Sequence, residues 1–116
     1  MKIKYSKIIP FKGFYAINLF GTYFIRKEYE GEKIEKSTLN HEAIHTEQMK
    51  ELGYIFFYIW YGIEYLIIRL FHKKQGDAYH DVSFEEEAYL NQKDLTYLDT
   101  RKHYSWVKHL KIKSYG

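Results

Sequence analysis

The chain contains no cysteine. Disulfides are therefore excluded, and so is any structural zinc site built on thiolates. A metal held here must be held by histidine and carboxylate. Proline occurs once, at position 10. Repeats, low-complexity linkers and glycine-rich nucleotide loops are missing. The net charge of +3 is spread over 18 Lys and Arg, without the dense patch or recognisable module that would point to nucleic acid. The ends are the more basic parts, with Lys2, Lys4, Lys7 and Lys12 at the front and Arg101, Lys102, Lys108, Lys111 and Lys113 at the back. Solvated lysines account for them, and contact with an anionic membrane surface is the alternative. The front does not read as a secretory signal, because Pro10, Lys12 and Gly13 interrupt its apolar run and no small-residue cleavage site follows. A cytoplasmic protein is expected, with membrane association as the second reading.

What is plentiful is aromatic side chain. Thirteen Tyr and eight Phe bring the aromatic share to 20 %, within a hydrophobic share of 46 %. This composition opposes disorder. The 116 residues suit one domain, 1–116, with a modest core.

The chemistry gathers at His41-Glu42-Ala43-Ile44-His45, an H-E-x-x-H pattern. On a helix, residues four apart lie about 40° apart around the axis and one turn along it. His41 and His45 can then reach one metal ion, and Glu42, about 100° from His41, can reach a water on that metal. Two imidazoles holding Zn²⁺ and a carboxylate taking a proton from water is the working content of the motif. The competing reading is a surface helix with two solvated histidines.

Around this stretch, residues 3–9 read as a short strand or extended arm. Residues 14–20 and 22–27 read as two strands, a hairpin about Gly21, and 28–36 as a charged loop. A helix is expected over 38–52, capped by Ser37 or Thr38 and broken at Gly53, with His41, His45 and Gln48 on one face. Residues 54–71, YIFFYIWYGIEYLIIRLF, form the most apolar run. They barely reach spanning length and carry Glu64 and Arg69. A buried core helix packed on several sides is expected, against a membrane-embedded or monotopic one. Residues 72–82 read as a loop, with His72, His80 and His109 as surface histidines. Ser83 and Glu86 have capping-box spacing for a helix over 84–98. A last helix is expected over 100–110.

A catalytic zinc site needs a third protein ligand. Glu64 follows His45 at the H-E-x-x-H-x18-E spacing of zinc aminopeptidases but lacks their surrounding sequence. The segment Ser83-Phe84-Glu85-Glu86-Glu87-Ala88-Tyr89 offers others. Here the chain resembles the gluzincins, zinc peptidases whose third ligand is a glutamate on a separate helix. It looks most like their integral-membrane branch, in which H-E-x-x-H, an apolar segment and E-x-x-A/C-D follow in that order. The resemblance covers about residues 38–92. It implies His41, His45 and Glu85 as metal ligands, Glu42 as the base and Ala88 as the small residue three places on. Tyr89 stands where the family has an Asp that orients a ligand histidine. Helical phase offers Glu87 instead, with Asn91 four residues later. The resemblance further implies a second electrophile after the third ligand, for which Tyr97, His103 and Tyr104 are candidates, and substrate binding along an edge strand at 14–20 or 22–27.

The expectation is an α+β domain, a small N-terminal antiparallel sheet followed by about four helices with a zincin-like core. Its function would be zinc-dependent hydrolysis of a peptide or protein substrate. The rival is a non-catalytic relative that binds metal or a partner, with membrane association through 54–71 as its variant. Neither nucleic acid nor an organic cofactor is expected.

Overall fold

The computed structural model describes residues 2–71 and 81–110, so the readings for His72, His80, Lys111 and Lys113 lie outside the described residues. The fold is α+β, as expected. Strands β1 (Lys2–Ser6), β2 (Ala16–Leu19) and β3 (Thr22–Arg26) form one sheet in the order β1-β3-β2. Phe20 and Gly21, at φ 54° and 90°, make the two-residue turn of the β2–β3 hairpin, because positive φ at both positions matches the twist of paired strands. That hairpin is antiparallel, but β1 pairs parallel to β3, Lys2 opposite Thr22 through Ser6 opposite Arg26. The sheet is therefore mixed. The loop between β1 and β2 carries the chain past β3, which leaves β1 and β2 on opposite edges.

Helix α1 (Lys36–Leu52) begins two residues earlier than expected, with Glu35 rather than Ser37 or Thr38 at its N-cap. It ends at Gly53, whose φ of 74° makes the left-handed cap that glycine adopts without strain. Helix α2 (Ile55–Phe71) leaves at 107° to α1.

Helix α3 (Ser83–Asn91) is shorter than the expected 84–98. The Asn40 amide of α1 donates to the carbonyls of Asn91, Gln92 and Asp94 at 3.2, 2.8 and 3.0 Å. It thereby satisfies carbonyls that a helix end leaves unpaired. A short α4 (Tyr97–Thr100) follows, and a 3-10 turn over Ser105–His109 takes the place of the expected last helix. The expected capping box is not formed. Val82 is the N-cap, and Ser83 turns instead to Glu64.

The core gathers Met49, Phe57, Ile68, Val82, Phe84 and Trp106. Against expectation, α2 packs on one face only. Phe57, Glu64 and Ile68 are buried, while Ile55, Phe56, Ile59, Ile63, Leu66 and Leu70 are exposed. No single described helix is long and apolar enough to cross a membrane; only the bent α1–α2 pair reaches that length and composition.

Candidate metal centre

His41 and His45 lie one turn apart on the inward face of α1, and Glu85 lies in the first turn of α3. Their tips meet. His41 Nε2 and His45 Nε2 are each 3.0 Å from Glu85 Oε1 and 3.1 Å from each other. All three residues are buried, and together they form a group that could hold a metal ion.

The hydrogen bonds behind them fix which atoms face inward. The Gln48 amide nitrogen donates to the Phe84 carbonyl at 3.1 Å and to Glu87 Oε1 at 2.9 Å. Its oxygen is thus left for His45 Nδ1, 2.7 Å away. Nδ1 then carries a proton, and Nε2 is the nitrogen turned to Glu85, open to a second proton or to a metal. His41 Nδ1 is 2.7 Å from Gln92 Oε1. Two imidazole Nε2 atoms and a carboxylate oxygen therefore converge at about 3 Å. Atoms so placed need a proton between them or a cation among them. The donor set and its geometry fit a metal ion.

Each carboxylate proposed from sequence has a place. Glu85 joins the histidines, and its Oε2 accepts a 2.8 Å hydrogen bond from Tyr61. Glu87 does not join them. It is fully buried and bound by Gln48, by the Tyr97 hydroxyl at 2.6 Å and by Arg101. Arg101 also reaches Glu51 through both terminal nitrogens, at 2.9 and 3.0 Å. Glu64 is further away in role. Its two oxygens accept the Ser83 N–H and hydroxyl at 2.7 Å each, so a carboxylate of α2 caps α3 and sets the turn carrying Glu85. Glu86 pairs with His109 Nδ1 at 3.3 Å, both partly buried rather than solvated.

Glu42 lines a cleft of about 350 Å³ with His45, Glu85, Tyr61, Ala16 and Ile17. Asn18 of β2 donates to the Glu42 carbonyl and to Thr46 Oγ1, at 3.1 and 3.3 Å; this ties the edge strand to the metal helix. Tyr97, His103 and Tyr104 lie elsewhere, on Glu87 and Glu51. Tyr61, overlooked in the sequence, is the phenol at the site, and only the packing of α2 on α3 reveals it. Tyr89 sets its ring edge against His41, centroids 4.6 Å apart. The orienting partners are instead Gln92 and Gln48. The second of these was visible in the helical phase of α1.

The electrostatics agree with a cation site. Burial disfavours an ionised Glu85, but His45, His41 and Tyr61 overcome it and hold the carboxyl well below its usual range. Burial would lower the His45 pKa, yet Glu85, Glu42 and the Gln48 hydrogen bond raise it to about 9. Protons and a metal ion thus compete for one pocket. For Glu87, burial is outweighed by Arg101, Tyr97 and Gln48, which keep it ionised. Comparison with protein-family models, curated proteins and solved structures gives no match.

Proposed function

We propose that this chain is a zinc-dependent peptidase acting on peptide or protein substrates, with His41, His45 and Glu85 as the metal ligands and Glu42 as the general base. The observation that carries this reading is the convergence of three potential ligand atoms, oriented by Gln92, Gln48 and Tyr61, beside a cleft that also holds Glu42. Two imidazoles and one carboxylate are a donor set of catalytic zinc, which leaves a fourth position for water. Zinc bound there would supply Lewis acidity and make water acidic enough to attack near neutral pH. Glu42 takes the proton of the attacking water and returns it to the leaving amine. Tyr61 holds Glu85 Oε2, so that Oε1 faces the histidines. The end strand β2, with Ala16, Ile17 and Asn18 along the cleft, offers backbone groups to an extended substrate.

The test combines metal analysis with a peptide-library assay. Wild-type protein and Glu42→Gln should both carry near-stoichiometric zinc, while His41→Ala/His45→Ala should carry none. Only the wild type should cleave. Cleavage that survives Glu42→Gln removes the proposed base, and a folded wild type that takes up no metal after zinc dialysis removes the proposal.

A further inference from the structure

Two surfaces turn large apolar side chains outward. In the loop before β2, Ile8, Phe11 and Phe14 are 78, 81 and 64 % exposed. The loop is braced against collapse. Ser6 Oγ accepts the N–H groups of Ile8 and Ile9 at 3.1 Å each, the Arg26 guanidinium donates to the carbonyls of Lys7 and Pro10 at 2.7 and 3.1 Å, and the Phe14 N–H closes on Phe11 O at 3.1 Å. On α2, the exposed Ile55, Phe56, Ile59, Gly62, Ile63, Leu66 and Leu70 fall within one arc of about 120° at 100° per residue. None of them is polar. Ala16 and Ile17, which share a groove with the loop, line one side of the cleft, and Phe57, Tyr58 and Tyr61 line the other from the face of α2 opposite the arc. Phe20 at the hairpin tip rests on Tyr54 and Tyr58.

Charge selects the occupant. Lys2, Lys4, Lys7, Lys12, Arg26 and Lys27 precede the first acidic residue, Glu28. Arg26 and Lys27 pair with Glu28 and Glu30 at 2.8 and 2.9 Å. Lys7 and Lys12 are exposed among the apolar residues of the loop. A second copy packed symmetrically on this loop would set lysine against lysine. A nucleic-acid duplex met at its phosphates would leave Ile8, Phe11 and Phe14 in water. An anionic bilayer accepts both features, because it takes apolar groups below its headgroups and lysines at its phosphates.

We propose that the braced loop Lys7–Tyr15 docks this protein on an anionic bilayer surface, with Ile8, Phe11 and Phe14 entering the headgroup–acyl boundary and Lys7 and Lys12 held at the phosphates. The docking is independent of whether the metal centre is hydrolytic.

The experiment is co-sedimentation of the full chain with phosphatidylcholine vesicles, with and without phosphatidylglycerol, alongside the circular dichroism of each variant. The wild type should partition onto the anionic vesicles and much less onto neutral ones. Lys7→Glu/Lys12→Glu should weaken that partitioning by about 25-fold or more, at about fivefold per lysine near the surface. Phe11→Ser/Phe14→Ser should abolish it with the helical spectrum unchanged. A Phe14→Trp probe should shift to the blue and be quenched by acyl-brominated lipid. Three outcomes would overturn the proposal: folded wild type that stays in the supernatant, equal partitioning onto neutral vesicles unaffected by the lysine changes, or a Phe14-dependent dimer in analytical ultracentrifugation that no vesicle dissociates.

Discussion

Helices α1 and α2 have seventeen residues each, are joined by a sharp bend, and are inverted in what they bury. Helix α1 is the more polar of the two and turns His41, His45 and Gln48 inward. Helix α2 is overwhelmingly apolar and leaves most of its large side chains in contact with solvent. Burying polar groups without partners costs several kcal/mol each, and behind α1 that cost is met by an ordered chain of partners. It runs from Arg101 to Glu87, Gln48 and His45. An outward apolar face gains nothing in water. Hydropathy alone therefore misplaces both helices.

The largest effect should come from breaking the polar chain at its root. Arg101 is the shared cationic partner of Glu51 and Glu87, with 4 % exposure for its side chain. Arg101→Ala leaves both carboxylates buried without it and should destabilise the fold by about 3–5 kcal/mol, read from urea unfolding. A loss below 1 kcal/mol would mean that water replaces the guanidinium, and the chain is then not structural.

Neighbouring phenylalanines of α2 sharpen the contrast. Phe57 is 3 % exposed and Phe56 67 %. Phe57→Ala should cost about 3–5 kcal/mol, and Phe56→Ala should stay within about 0.5 kcal/mol. Equal losses would show that the outward arc is covered in solution.

Gln48 links the polar chain to the metal pocket. Gln48→Leu frees the His45 ring and should weaken zinc binding by about 10–100-fold, measured by chelator competition, with a smaller effect on urea stability than Arg101→Ala. Unchanged affinity would assign the orientation of His45 to packing alone.

The smallest effect concerns Glu64, the one buried charge on α2. Burial raises its carboxyl above the ordinary 4.5, although the two bonds from Ser83 pull it down. The folded state then holds this proton to higher pH than the unfolded chain does. Its contribution to stability is fully present below the unfolded value and is lost as pH rises through the folded one. Glu64→Gln lacks that titration, so the stability difference between variant and wild type should change with pH above pH 4.5. A parallel pH profile for the two proteins would refute the assignment.

Local rules settled part of this molecule from sequence alone. The spacing of His41, Glu42, His45 and Gln48 follows from the helical period. The hairpin turn follows from Gly21, and the end of α1 from Gly53, because φ above zero selects glycine. The choice among Glu64, Glu85 and Glu87 was not local. All three had a defensible spacing, and Glu85 is the one beside the histidines because the Ser83–Glu64 cap and the commitment of Glu87 to Arg101, contacts that join helices distant in the chain, set the other two aside. The early end of α3 likewise depends on Asn40, 51 residues before Asn91. The parallel pairing of β1 and the outward arc of α2 were also tertiary decisions. A periodic pattern states which side chains share a face, and only the packed neighbours determine what that face meets.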